Sequence, residues 1–184
     1  MTPHIQLSSG EFFNFLEPDP ELVTIPVLAK ALSQLCRFTG HSSKFYSVAQ
    51  HSVLVSRIVP RELARWGLFH DAAEAFIGDV SSPLKQLLPN YKAIEKHIER
   101  VVWEHYGLFG PLPPEVKKAD MSALLAERAV LMPNGEGAAL GWEDHVNRPD
   151  VPKCPYPVFP CEPWKAEAMF IARAYVLERT RIAA

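Results

Sequence analysis

Apolar residues recur at helical spacing along most of this chain, and the stretches that carry the pattern are bounded by proline and glycine. Between Tyr91 and Tyr106, Ile94, Ile98, Val101, Val102 and Tyr106 form one stripe, while Lys92, Glu95, Lys96, Glu99 and Arg100 take the other positions. A helix with one apolar face buries it in a bundle. The same periodicity predicts helices over 26–36, 46–59, 61–77, 90–106, 113–132 and 163–181. Pro60 stands at the opening of the third, where its missing N–H loses no partner, and beyond Gly67 no breaker follows until Gly78. Before the helices, short alternating runs flank Ser8-Ser9-Gly10 and predict a β-hairpin within residues 1–22. The expected fold is therefore all-α, a compact helical bundle with a short N-terminal β-hairpin.

Residues 133–163 change character, with three glycines followed by six prolines. An irregular stretch of that length is uncommon in a compact domain. It fits a wrap over the surface, a cover for an active site, a subunit contact or a passive connector.

Composition narrows the class. A chain of 184 residues, 48% of them hydrophobic, suits one domain over 1–184 with a sizeable core. A net charge of −2 with both signs interspersed argues against a broad nucleic-acid-binding face. No apolar run reaches the ~18 residues of a membrane span, and the N-terminus lacks a charged-then-apolar leader. The expectation is a soluble, cytoplasmic protein with no membrane partner. Cys36, Cys154 and Cys161 are an odd number in a chain that needs no staples, so structural disulfides are not expected.

Chemistry concentrates in His51, His70-Asp71 and Asp120, two imidazoles and two carboxylates that can hold a divalent ion. On one helix His70 and Glu74 stand four apart on one face, with Asp71 about 100° round, so ligands and a catalytic carboxylate can share a surface. A helical His-Asp pair also fits a plain salt bridge. The pattern gains weight because His51 falls on a preceding helix and Asp120 on a later one. His97 and His105, eight apart and about 12 Å along a helix, are too far apart to chelate one ion.

The adjacent His70-Asp71 pair, with His51 before it and Asp120 after it in a Lys-x-x-Asp setting, resembles the HD-domain metal-dependent phosphohydrolases. The blocks Cys36-Arg37-Phe38-Thr39-Gly40-His41, Phe45 to Ser52, His70 to Glu74, Gly78 to Lys85 and Leu88 to Lys92 are similar to the small nucleotide-acting branch. That branch holds 5′-deoxynucleotidases and phage-type dATP and oxetanocin-triphosphate triphosphohydrolases. The likeness runs from about residue 22 to residue 132.

The resemblance implies one divalent transition metal on His51, His70, Asp71 and Asp120, with Co, Mn, Zn, Fe or Ni suited to mixed nitrogen and oxygen donors. Additional Mg on the phosphates is part of the same expectation. Glu74 is expected to orient the attacking water and move its proton. Asp79 either assists or caps the next turn. Charge on the phosphoryl oxygens calls for cations, for which Arg37, Lys85 and Lys117 are the candidates, the first two favoured by the resemblance. Phe38 is placed to stack on base or sugar, or to pack; relatives often carry tryptophan there. Gly40 leaves room for a base, and His41 is expected to contact substrate.

The expected substrate is a small-molecule nucleotide. The leading reading is a 2′-deoxynucleoside triphosphate, dATP-leaning, cleaved to deoxynucleoside and triphosphate. A 5′-deoxynucleotidase acting on monophosphates is the alternative, and a non-catalytic nucleotide-binding regulator is a third reading of a different class. Relatives also imply a homo-oligomer, dimer or hexamer.

Overall fold

The computed structural model describes residues 2–133, 142 and 148–182. The chain opens with an antiparallel hairpin of β1 (His4–Gln6) and β2 (Phe12–Asn14), in which Ile5 faces Phe13. Gly10, at φ +94°, turns it. Fully buried Phe13 stacks on Phe76 with ring centroids 4.0 Å apart, so the hairpin is pinned to the helices.

The helices are α1 (Ile25–Gln34), α2 (Val48–Ile58), α3 (Ala64–Phe69), α4 (Glu74–Ile77), α5 (Ser82–Lys85), α6 (Pro89–His105), α7 (Pro114–Leu131) and α8 (Pro163–Ile182). Sequence-level punctuation explains their starts. Thr24 and Ser47 cap α1 and α2, the latter in a full capping box with Gln50, and prolines stand in the first turns of α6, α7 and α8. Along α6, Ile98 and Val102 are buried and Tyr106 follows at its C-terminal cap, as the stripe predicts.

Helix α2 is the central element. Nine consecutive residues, Val48 to Ser56, are buried, because α1, α3, α7 and α8 all pack against it. A helix covered all round cannot show a polar face, and His51 therefore lies in the interior.

The single helix expected over 61–77 is corrected. Arg61–Leu63 forms a 3₁₀ turn after Pro60, α3 ends at Phe69, and α4 begins only at Glu74. The intervening residues are held by i→i+3 bonds, Ala72 to Phe69 at 3.1 Å and Glu74 to Asp71 at 3.0 Å. Tighter winding keeps a right-handed path but rotates successive side chains further apart. Gly78, at φ +80°, ends α4. Helix α5, unanticipated, forms a short turn around Pro83.

Of the Pro-rich stretch, 134–141 and 143–147 lie outside the described residues. Part of the remainder lies along α2, where the Gln50 side-chain N–H donates to Phe159 O (2.9 Å) and its amide oxygen accepts from Cys161 N–H (3.4 Å).

Candidate active site

The tight passage between α3 and α4 aims His70 and Asp71 at α2. The His51 and His70 rings lie 5.3 Å apart, Asp71 Oδ2 is 3.2 Å from His70 Nε2 and 3.6 Å from His51 Nε2, and Asp120 Oδ1 on α7 is 3.1 Å from His51 Nε2. One donor atom each from His51, His70 and Asp120 falls within 4.8 Å of the others. The four residues expected to share an ion are thus neighbours.

Acceptors behind the rings fix their tautomers. His70 Nδ1–H donates to Gly67 O at 2.9 Å and His51 Nδ1–H to Glu127 Oε1 at 2.8 Å. A carbonyl and an ionised carboxylate can only accept, so Nδ1 carries the proton and Nε2 of each neutral ring presents a lone pair. Both Nε2 atoms are buried and, among the described residues, neither has a hydrogen bond of proper geometry despite the nearby carboxylates. Two orphaned imidazole nitrogens flanked by Asp71 and Asp120 fit a divalent transition ion.

Electrostatics agree that this point attracts positive charge. Burial and the Arg37 charge oppose protonation of His51, yet Glu127 and Asp120 raise its pKa to about 10. Burial also opposes ionisation of Asp71, but His70, His51 and Arg37 outweigh it and hold Asp71 far below the ordinary carboxylate value. Glu74 behaves oppositely: burial, then Asp71 and Asp79, raise its pKa well above normal against the pull of Lys85. Burial likewise raises Asp79.

Glu74 is buried at the start of α4; Oε1 lies 3.6 Å from Lys85 Nζ, and Oε2 has no hydrogen-bond partner among the described residues. Lys85 pairs more closely with Glu95 of α6. A cavity of about 650 Å³ opens over these groups. It is lined by the charged residues Arg37, Asp71, Glu74, Asp79, Lys85 and Asp120 and by the apolar residues Phe38, Met121, Leu124, Met132 and Trp142, with His41 also on the wall. Phe38 and Thr39 hold positive φ angles of 56° and 53°, an uncommon backbone state that bends the chain at the cavity rim.

Not every candidate converges. Lys117 is exposed on α7, and neither it nor Gly40 lines the cavity. His97 sits beside Arg100, and His105 packs on Tyr106. Sequence reasoning missed Glu127. Fully buried, it accepts from His51 and, through Oε2, from Arg37 Nε–H at 3.0 Å. Its one legible signal was its spacing of seven from Asp120, which puts both on one side of α7.

Helices that deliver a lone histidine, an adjacent His-Asp pair and a distant aspartate to one point, beside a buried glutamate, define the HD-domain phosphohydrolases, hydrolases that bind a divalent metal. Comparison narrows this class. A family model described as "5′-deoxynucleotidase YfbR-like" matches residues 38–133. The chain is 39% identical over 181 residues to "Uncharacterized protein YfdR" of Escherichia coli (strain K12), covering 96% of this chain and 97% of that one. It is 30% identical over 128 residues to "Uncharacterized protein RCAP_rcc00048" of Rhodobacter capsulatus, covering 64% and 65% respectively. The chain belongs to the YfbR-like 5′-deoxynucleotidase family, and it is an enzyme of the HD-domain hydrolase class. No helix among the described residues is long and apolar enough to cross a membrane.

Proposed function

We propose that the protein is a metal-dependent 5′-deoxynucleotidase that hydrolyses 2′-deoxynucleoside 5′-monophosphates to deoxynucleoside and orthophosphate. The observation that carries this choice is the charge of the cavity wall. Among its described residues only Arg37 and Lys85 are permanent cations, and both already pair with carboxylates. Against them stand Asp71, Glu74, Asp79 and Asp120. With Asp79 holding a proton, one divalent ion takes that wall to a net charge of about +1, and each phosphate beyond the first would add negative charge with no side chain to meet it. The dATP-leaning triphosphate reading, ranked first on sequence, would need Mg on the phosphates to supply that charge.

The donors His51, His70, Asp71 and Asp120 suit Mn, Co, Zn, Fe or Ni. A divalent ion held by them would supply Lewis acidity, polarising the phosphoryl group and acidifying water. Glu74 Oε2 has no hydrogen-bond partner among the described residues and accepts the proton of the attacking water, while Lys85 beside Oε1 opposes the burial that disfavours its ionised form. Arg37 and Lys85 face the non-bridging oxygens. Asp79, whose raised pKa lets it hold a proton, serves the leaving 5′-oxygen. Phe38 and the other apolar lining residues receive sugar and base, with His41 on the same wall. The same reading includes a homo-oligomer, dimer or hexamer.

The test is to incubate metal-stripped protein, reloaded with Mn²⁺ or Co²⁺, with each deoxynucleoside mono-, di- and triphosphate and the matching ribonucleotides. Orthophosphate released from deoxynucleoside monophosphates supports the proposal. Inorganic triphosphate released from dATP, with monophosphates untouched, replaces it by the triphosphohydrolase reading. Tight nucleotide binding without hydrolysis at any chain length would make the protein a regulator.

A further inference from the structure

We propose that Glu127 is a positioning residue that ties the ion-binding histidine His51 to the cavity-lining Arg37, so that disturbing either contact is felt at the other. This rests on the reading of His51 as a metal ligand. Glu127 is fully buried on α7, 76 residues from His51 and 90 from Arg37. Its two carboxylate oxygens serve different partners. Oε1 accepts His51 Nδ1–H at 2.8 Å, and Oε2 accepts Arg37 Nε–H at 3.0 Å. Burial, then the charge of Glu127, push the Tyr46 hydroxyl well above its ordinary pKa. From Arg37 the chain of contacts continues, because Nη1 lies 3.9 Å from Asp71 Oδ2, itself 3.6 Å from His51 Nε2. His51, Glu127, Arg37 and Asp71 therefore close a ring around the point where the donors meet.

Two consequences follow from this geometry. A carboxylate behind Nδ1 fixes the ring orientation and makes Nε2 the better donor. With Nε committed to Glu127, the guanidinium can turn only its remaining N–H groups toward Asp71 and the cavity, which fixes how it meets a phosphoryl oxygen. Removing Arg37 would leave Oε2 buried without that partner, and a carboxylate in that position turns to find another, which draws Oε1 away from the His51 ring.

The signs of the two competing effects differ, and this makes the tie testable by Mn²⁺ titration calorimetry on the full chain after chelator treatment, without nucleotide. By Coulomb's law alone, Arg37→Met removes a like charge near the ion and should tighten binding. The tie predicts the opposite, binding weakened by roughly tenfold. Tighter or unchanged binding overturns the proposal. Should Arg37→Met be too unstable to titrate, Arg37→Lys keeps the charge and loses the Nε contact; weaker binding then supports the tie and unchanged binding overturns it.

Glu127→Gln offers one oxygen where two are needed, so it can serve His51 or Arg37 but not both. It is expected either to weaken Mn²⁺ binding or to raise KM for a deoxynucleoside monophosphate, in each case by roughly tenfold. Values of both within about twofold of the parent, with the fold intact by circular dichroism, overturn the proposal. If the unaltered protein itself binds no Mn²⁺ or Co²⁺, the failure belongs to the metal-site reading instead.

Discussion

Gly67→Ala tests how α2 and α3 bring the histidines together. At Gly67 the two helices approach so closely that an added Cβ would fall 2.8 Å from Ser56 Cα, 3.0 Å from Ser56 N and 3.1 Å from the Val55 carbonyl carbon. All three neighbours are backbone atoms, so no side chain can turn aside. Nor is α2 free to slide, because Ser56 Oγ donates to Ala64 O at 2.7 Å and Ser56 O accepts from Arg173 at 2.7 Å. Overpacking of this kind costs about 1–3 kcal/mol, and a rigid contact belongs at the upper end. The better helix propensity of alanine offsets about 1 kcal/mol of that. The net loss is about 2 kcal/mol, which at ~2–4 °C per kcal/mol for a chain of this size lowers Tm by about 4–8 °C. Scanning calorimetry in chelator measures it. The Gly67 carbonyl also anchors His70 Nδ1–H, so Mn²⁺ affinity should fall together with Tm. A Tm equal to or above the parent value would refute the close contact and the account of how His70 is aimed.

Glu74→Gln should keep Mn²⁺ affinity while lowering kcat by about 10²–10⁴, the usual worth of a positioned general base; retained turnover in steady-state assays would remove Glu74 from the mechanism. Lys85→Ala should raise KM for the nucleotide at least several-fold, whereas Lys117→Ala, on an exposed position away from the cavity, should leave kinetics unchanged, and equal effects would contradict the placement of Lys85 on the wall. Burial, then Glu95 and Asp71, push Glu99 up from 4.5 to about 7. A folded-state pKa raised in this way favours folding below the unfolded pKa, and that contribution is lost as pH rises through about 7. Glu99→Gln should therefore melt higher than the parent at pH 8 by about 1 kcal/mol after allowance for solvent screening, with the gap closing at pH 5; a pH-independent gap would show that Glu99 is not strained by its neighbours.

Periodicity alone located most of the helices and the core face of α6, because the 3.6-residue repeat is a local property that any buried helix must show. The adjacent His70-Asp71 pair, with His51 and Asp120, was legible for a different reason: few residue types bind a transition ion, and their company on separate helices is uncommon by chance. The break between α3 and α4 was not legible. His70 and Ala73 keep right-handed angles and residues 70–73 break no propensity rule, while the contacts that accompany the tighter winding, the packing of Gly67 on Ser56 and the capture of His70 by the Gly67 carbonyl, are tertiary.

Glu127 shows the limit most clearly. In sequence it is one more charge on a helix, where a glutamate is ordinarily solvated. It becomes a buried acceptor only because α2 and the Arg37 turn pack over that face of α7, bringing partners 76 and 90 residues away within 3.0 Å. Lys85 is similar, since the carboxylates that compete for it come from α4 and α6. Which groups can bind an ion and which faces must be buried could be read from the chain alone, since both follow from side-chain chemistry and local repeat. Which atoms of those groups point at one another, and what holds them there, was decided by long-range packing, whose energy depends on contacts that no local pattern encodes.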